Sequence, residues 1–442
     1  MPIDWQQLRR RVHRCDPVRI RGRVVGTVGL MLESQGPPAR LGELCWVERG
    51  RHSPPLTVEV VGFRHGRTLL MPLGPLEGVE PNSEVIPTRR IAEVGVGESL
   101  LGRVLDGLGN PIDGKPAPSC VHHYPLMAPA PTALERPPLR TPLPTGVRAL
   151  DALLTCAQGQ RVGIFAGSGV GKSTLMGMLA RHASAEVNVI ALIGERGREV
   201  REFIDDSLGE AGLQRSVLVV ATSDQPAIVR QKCAFTATAI AEYFRDQGKQ
   251  VLLMMDSLTR LAMAQREIGL SVGEPPSARG YTPSVFALMP RLLERAGTNA
   301  QGTITAFYTV LVDADDMNDP IADTARAILD GHIVLSRALT QRGHYPPIDP
   351  LASLSRVMPN IVDAEHQRRA NRLRRLLSAY RDAEDLVLIG AYQKGTHPLV
   401  DIALERIPAI HAFLQQTPHE HSPFDETLKQ LYTLTDDIPD SL

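Results

Sequence analysis

The densest chemistry in this chain lies in nine residues, Ala166-Gly-Ser-Gly-Val-Gly-Lys-Ser-Thr174. Gly167, Gly169 and Gly171 allow backbone N–H groups to turn inward around an anion, with Ser168 and Val170 between them. The segment fits the phosphate-loop spacing that ends in Gly171-Lys172-Ser173. Ala166 stands where the strict pattern has glycine, a position that needs only a small side chain. An apolar run at residues 161–165 predicts a strand before the loop, and residues 172–183 predict a helix after it. The positive end of that helix would face the same anion. Lys172 is placed to bridge the β- and γ-phosphates of ATP, and Ser173 to ligate Mg²⁺, with Thr174 completing the loop's binding set. A glycine-rich turn that matches by chance would lack the flanking strand, the helix and the Lys-Ser pair.

Three further positions add chemistry. Val251-Leu-Leu-Met-Met-Asp256 is an apolar strand that ends in one carboxylate, downstream of the loop with two strands between. Asp256 would support the metal. It also fits a helix N-cap, since a helical stretch starts there, and the two roles are compatible. Ile193-Gly-Glu195-Arg196-Gly-Arg198-Glu199 follows the strand after the loop. Glu195 is therefore expected in the crevice at the carboxyl edge of the sheet, where it could deprotonate a water attacking the γ-phosphate. An ion-pair cluster at a helix start fits that spacing equally well. Arg356, in Leu354-Ser-Arg356, could stabilise a transferring phosphoryl group; spacing alone favours a structural arginine.

These residues need a scaffold. Residues 148–337 alternate apolar β-type runs (161–165, 187–193, 216–220, 251–255, 303–312) with helical stretches (172–183, 199–208, 227–245). Strands that are apolar throughout are buried on both faces, which predicts a mostly parallel sheet between helices. Before it, residues 17–90 carry short β-branched runs broken by Gly and Pro clusters, the texture of a small β-barrel or sandwich. A Pro-rich bridge with prolines from Pro116 to Pro144 joins the two. A disordered linker and an extended segment draped over a domain both fit. The draped segment is favoured because Tyr124, Leu126 and Met127 offer apolar anchors. After Ala364 the chain reads as helical. Leu373, Leu376, Leu377, Tyr380 and Ala383 form one apolar face, with Arg368, Arg369, Arg372 and Arg375 opposite, as a solvated face or a partner surface. The tail from His419 is acidic and polar and is expected to be partly loose.

Composition sets the limits. The chain has 442 residues, 43% hydrophobic and 22% charged, with a net charge of -1. This excludes wholesale disorder and a globally basic nucleic-acid binder. Five scattered cysteines, Cys15, Cys45, Cys120, Cys156 and Cys233, have no metal-site spacing and fit reduced thiols in the cytosol. His122 and His123 read as surface residues. No apolar run reaches the ~18 residues of a membrane span, and the N-terminus does not read as a signal peptide. The basic stretch Leu8-Arg-Arg-Arg-Val-His-Arg14, together with Trp5, fits either an amphipathic membrane or stator contact or a frayed terminus.

Taken together, Gly169-Val-Gly-Lys-Ser-Thr, Gly194-Glu-Arg-Gly-Arg-Glu-Val-Arg, Met255-Asp-Ser-Leu-Thr-Arg260, Gly280-Tyr-Thr-Pro-Ser-Val-Phe, Ile328-Leu-Asp-Gly-His-Ile-Val-Leu-Ser-Arg337 and Gly343-His-Tyr-Pro-Pro-Ile-Asp-Pro resemble the type III secretion ATPases, cousins of the catalytic subunit of rotary ATP synthases. The likeness runs from about Val24 to Leu434. It implies an α/β RecA-like P-loop NTPase core (residues 91–360), with an N-terminal small β-barrel (1–90) and a C-terminal α-helical domain (361–442). It implies a homohexamer hydrolysing ATP with Mg²⁺ at subunit interfaces, cytoplasmic and peripheral at the inner face of the membrane beneath an export gate. The ring would release chaperones from export substrates and unfold them, with a coiled-coil stalk protein in its pore and a stator protein at its N-terminus. By the same resemblance Glu195 is the general base, Arg196 a neighbour of the γ-phosphate, Asp256 the metal-supporting acid, Arg356 an arginine finger given in trans and Tyr345 an adenine-stacking residue. Tyr392-Gln-Lys394 resembles a loop near the stalk. Glu195 also argues against a non-catalytic ring subunit. Ala221-Thr-Ser-Asp, Ile240-Ala-Glu-Tyr-Phe-Arg-Asp-Gln-Gly and Phe424-Asp-Glu-Thr-Leu look more like the injectisome branch; the flagellar export ATPase is the alternative, and Asp316-Met-Asn-Asp-Pro fits both. An RNA-translocating RecA hexamer is more remote. Aromatics are 4% of the chain, and the barrel zone lacks the aromatic–basic interleaving that stacks bases, so no nucleic-acid partner is expected.

Overall fold

The computed structural model describes Trp5, Arg9, residues 20–50, 53–312 and 319–436, and Ile438. Cys15, the basic stretch apart from Arg9, and the Asp316 segment lie outside the described residues. The chain divides into two compact units. One takes residues through Ala92 together with Leu270–Glu274, the other Glu93–Gly269 and Pro275–Leu442.

The first unit is a closed six-stranded barrel. Its strands, Gly22–Val28, Met31–Gln35, Glu43–Val47, Leu56–Arg64, Arg67–Pro72 and Glu84–Ile91, close in the order first, second, fifth, fourth, third, sixth. Alternation puts Cys45 and Val47 inside and Trp46 outside on one strand. Val24, Leu32, Val58, Val60, Leu70 and Val85 fill the interior with them. His65 and Gly66 both take positive φ in the two-residue turn between Arg64 and Arg67, the turn whose twist matches the flanking strands. Register shifts at Val24/Gly26, Leu44/Cys45 and Val60/Gly62 bend strands so that the sheet can close.

The second unit is built on a nine-stranded sheet. The path runs Leu354–Ser355, Gly331–Leu335, Arg161–Ala166, Thr303–Leu311, Gln250–Asp256, Val187–Ile193, Ser216–Ala221, Arg103–Asp106, with Gly297–Thr298 pairing Thr303–Leu311 off it. The six strand pairs from Gly331–Leu335 to Arg103–Asp106 are parallel. Every residue of Val187–Ile193 and Ser216–Ala221 is buried, which is why those runs are apolar except at their starts, where Asn188 donates to the Ser216 hydroxyl and to the Ala180 carbonyl. The expected strands form within a residue or so. The expected helix at 199–208 is instead α-helical over Gly197–Glu202 and π-helical over Phe203–Leu208. Gly177 makes room for this segment. A Cβ there would lie 2.8 Å from the Ser207 Cβ.

The Pro-rich bridge is draped and held. His122–Pro125 pairs antiparallel with Glu93–Val96, and Leu126 is 1% exposed. Met127 is not an anchor; it is exposed, because the chain turns outward after Leu126. Buried Arg295 donates to the Leu126 carbonyl and pairs bidentately with Glu242 at 2.8 and 2.6 Å.

The C-terminal helices Ala364–Leu388, Pro398–Leu414 and Phe424–Thr435 share one core with the helices Arg148–Leu153 and Lys172–His182, including Leu150, Leu179, Leu373, Leu376, Ile410 and Leu431. Of the predicted apolar face, Tyr380 alone is only half-buried. The arginine face is not simply solvated. Arg369 pairs with Asp436 at 2.8 Å and lies over the Tyr432 ring, and Arg372 donates to the Thr435 carbonyl at 3.2 Å. These contacts dock the last helix, so the tail is ordered through Thr435 where looseness was expected; its buried residues, Thr427, Leu431 and Thr435, recur every four positions.

Removing one partner of a buried ion pair strands the other charge. Glu242→Ala, which leaves Arg295 unpaired at 1% exposure, should cost about 3–5 kcal/mol of stability. Urea denaturation measures it, and an unchanged midpoint would contradict the structural weight given to the pair.

Candidate active site

Strand Arg161–Ala166 delivers the loop of residues 167–171, and helix Lys172–His182 leaves it. Gly169 (φ 76°) and Gly171 (φ 93°) take left-handed conformations that only glycine adopts without strain, while Val170 between them plugs into the core at 1% exposure. No side chain caps the helix, and no acidic residue sits in its first turn. Its first N–H groups therefore remain available to an anion. Ser173 and Thr174 are exposed toward the cavity.

The sheet order explains the neighbours. The strand ending in Asp256 lies two places from the loop strand, with Thr303–Leu311 between them, and Val187–Ile193 lies one place further. All of these parallel strands end on the same side, the carboxyl edge where such sheets bind ligands. Thr309, on the intervening strand, donates to Asp256 Oδ1 at 2.7 Å. Lys172 Nζ also binds Asp256 Oδ1, and Glu195 Oε1 lies 3.6 Å from the same ammonium. Gly194, at φ 69°, turns the chain so that Glu195 faces Lys172. One cation is thus flanked by two carboxylates, all at most 13% exposed. Burial, and after it the Asp256 charge, push the Glu195 carboxyl up to about 7 against the pull of Lys172.

Lys172 and Glu195 border a cavity of about 480 Å³, lined also by Gly167, Ser168, Gly169, Ser173, Arg196 and Arg260 among others, with Asp256 behind Lys172. Arg196 is 82% exposed and leans on Glu199 at 3.6 Å. Arg260 closes the motif Met255–Arg260, but the sequence assigns it no role. It stands four positions after Asp256, its stem lies against Gly194, and its Nε is buried with no hydrogen-bond partner. The residue also lines the anion-sized cavity, where guanidinium donors are suited to a phosphate oxygen. The spacing from Asp256 across the start of a helix is a signal of sorts, but only the fold shows that it faces Gly194.

A second cavity, of about 680 Å³, shares Gly171 and Thr174 with the first. Tyr345, 45% exposed, forms one wall with Pro346 and Pro347; Leu175 and Met178 form the floor, and Gln416, Thr417 and Pro418 the far wall. A planar base fits between an aromatic face and apolar side chains. The far wall comes from the C-terminal region, and no local pattern marked it.

Arg356 is not brought to this site. Its N–H bonds to the Asp330 carbonyl, and the Asp330 N–H bonds to Arg161, at the start of the loop strand. The loop begins after Ala166, so about six residues of strand, roughly 20 Å, separate Arg356 from it along the sheet. The side chain is exposed and donates to the Arg326 carbonyl at 3.0 Å. Among the described residues no cluster of three or more His, Cys, Asp or Glu could hold a metal ion. Hard oxygen donors are present in the Ser173 hydroxyl at the cavity and in the Asp256 carboxylate behind Lys172, donor types that fit Mg²⁺. No helix is long and apolar enough to cross a membrane among the described residues.

The folded chain holds a proton on Glu195 that the unfolded chain, titrating near 4.5, has released. Stability without nucleotide therefore falls as pH rises through about 7. Glu195→Gln should melt above the parent at pH 8, with the gap closing toward pH 5. Parallel melting curves across that range would mean that ionised Glu195 carries no such penalty.

Comparison with known proteins gives a consistent picture. Residues 146–355 match the ATP synthase alpha/beta family, nucleotide-binding domain, and residues 362–433 match the T3SS EscN ATPase C-terminal domain. The chain is 53% identical to the flagellum-specific ATP synthase of Bacillus subtilis, over 96% of this chain and 97% of that one. It is 54% identical to the type 3 secretion system ATPase of Xanthomonas euvesicatoria, over 94% of each. The assembled ATPase EscN of the enteropathogenic E. coli type III secretion system superposes with a TM-score of 0.89 at 45% identity, covering 93% of this chain and 99% of that one. EscN has also been solved with its central stalk EscO, at a TM-score of 0.87, 44% identity, and 93% and 99% coverage.

Proposed function

The chain belongs to the ATP synthase alpha/beta family, among the type III secretion ATPases and flagellum-specific ATP synthases, and from that membership we propose that it is the homohexameric ATP-hydrolysing motor of a type III protein export system, the injectisome rather than the flagellum. The observation that carries the catalytic assignment is the single ammonium of Lys172 between Glu195 and Asp256 at the mouth of a phosphate loop.

An arriving triphosphate offers Lys172 new anionic partners, and the loop N–H groups and Arg260 supply further donors. Ser173 and Asp256 would hold Mg²⁺, which when bound neutralises phosphate charge. Glu195 sits in a dry environment with its carboxyl near 7, so it exchanges a proton readily at neutral pH. That suits a base which accepts the proton of the attacking water. Arg196 is free to turn toward the γ-phosphate, and Tyr345 to stack on adenine. The remoteness of Arg356 from its own loop supports its service in trans, completing the site of a neighbouring subunit. Assembly of EscN, and its central stalk EscO, support a ring with a stalk for this chain also. Release and unfolding of chaperone-bound export substrates, an export gate above the ring, a stator at the N-terminus and a position at the inner face of the membrane follow from the same kinship. The injectisome branch rests on the sequence features at Ala221, Ile240 and Phe424.

Two experiments test this. Lys172→Ala and Glu195→Gln should each lower phosphate release at least 100-fold while the fold is retained. Normal turnover in either variant would remove that residue from its role. Arg356→Ala should abolish hydrolysis by assembled rings yet leave nucleotide binding intact. Mixing it with Lys172→Ala subunits should recover partial activity, because some interfaces then pair an intact loop with an intact arginine. No recovery at any ratio would count against service in trans.

A further inference from the structure

The far wall of the base cavity is a loop, not a regular element. Residues 415–420 run between helix Pro398–Leu414 and helix Phe424–Thr435. A loop that contacts substrate must be held from elsewhere, and here two arginines of the core hold it.

Arg148 opens the helix Arg148–Leu153 and reaches the loop and the helix end before it with all three of its side-chain nitrogens. Its Nε donates to the Phe413 carbonyl at 2.7 Å and its Nη2 to the Gln415 carbonyl at 2.5 Å, while Nη1 pairs with the Glu420 carboxylate. Its backbone N–H donates to the Gln416 side-chain oxygen at 3.0 Å. The Gln416 amide in turn donates to the carbonyls of Gly146 and Glu420, each at 2.7 Å. The Gln416 backbone N–H bonds to the Tyr345 carbonyl at 2.8 Å, so the same strap fixes both walls around the base space. The guanidinium holds the Glu420 carboxyl below its usual range.

Arg181 sits in the last turn of the phosphate-loop helix. One of its terminal nitrogens donates to the Ser207 carbonyl of the π-helical segment, the other to the Pro418 carbonyl at 2.5 Å. Its planar, forked donors suit two carbonyls in different segments; a lysine offers no such fork. Ser207 is set independently by its packing over Gly177. Arg181 therefore ties Pro418 to a segment fixed by its own packing.

We propose that Arg148 and Arg181 are positioning residues that fix the base-side wall, Gln416 to Pro418, and so set affinity for the nucleoside part of the substrate without touching the phosphates. The inference rests on the ATPase reading above. Neither arginine lines the phosphate cavity. Their loss should therefore loosen the hold on the base and spare the chemistry at Lys172 and Glu195.

The test uses the full chain, with phosphate release followed against ATP and with inorganic tripolyphosphate as a competitor that has phosphates but no base. Arg148→Met keeps the stem and removes the donors. It should raise KM for ATP about 10-fold, leave kcat within about threefold and leave inhibition by tripolyphosphate within about twofold. Arg181→Met should show the same pattern more weakly, and Arg148→Lys should recover part of the loss. An unchanged KM overturns the proposal. So does a parallel rise in KM and in the tripolyphosphate constant, since the arginines would then be supporting the whole core. If Arg148→Met fails to fold, Glu420→Gln removes one partner on the loop side and must show the same split. Wild-type turnover by Lys172→Ala would instead sink the ATPase reading, whatever the two arginines do.

Discussion

Everything in the larger unit converges on one electrostatic constraint: a lysine charge, largely out of water, must be neutralised whether or not substrate is present. Asp256 and Glu195 meet that need in the free chain. Two carboxylates around one ammonium leave a surplus of negative charge in a dry place, and Glu195 relieves it by keeping a proton near neutrality. A cluster balanced in this way has no deep preference for staying closed. Its lysine can exchange partners when phosphate oxygens arrive, and the same arrangement that stores the charge makes Glu195 fit to move a proton.

The sheet makes that cluster possible. Parallel strands with both faces covered must be apolar along their length, so polar groups are confined to their ends. Thr309 is an instructive exception. It lies on a buried strand, but its hydroxyl is spent on Asp256 and so holds one carboxylate oxygen in a fixed direction. Arg356 depends on the same geometry in the opposite sense. The antiparallel edge strand Leu354–Ser355 leaves it level with the start of the loop strand, while the phosphate loop is at the end. Within one chain the sheet keeps them apart.

The sequence made the phosphate loop, its flanking elements and Asp256 legible because each depends on local spacing: strand, tight turn, helix, and an apolar run closed by one acid. The barrel texture was legible for the same reason. Other features depend on contacts between distant segments. Arg260 gains meaning only because its stem packs on Gly194. The wall at Gln416 to Pro418, proposed to face the base, lies just before the tail that reads as loose and carries no motif of its own; it is held by Arg148 and Arg181. The edge strand Arg103–Asp106 is short, and pairing with Ser216–Ala221 is what makes it a strand. The π-helical turn at Phe203–Leu208 fills the space left by Gly177, which no periodicity in its own residues announces.

The far separation of the two halves of the nucleotide pocket has a consequence for how the protein is made. Synthesis proceeds from the N-terminus, so the phosphate loop leaves the ribosome long before Gln416 is translated. The strand that carries the loop is flanked by Thr303–Leu311 and Gly331–Leu335, so the loop has no sheet to stand on until those residues are made. A phosphate ligand therefore has nothing to template in the early stages of synthesis. The wall at Gln416 to Pro418 comes later still, when Arg148 and Arg181, made long before, meet their carbonyl partners at Phe413, Gln415 and Pro418.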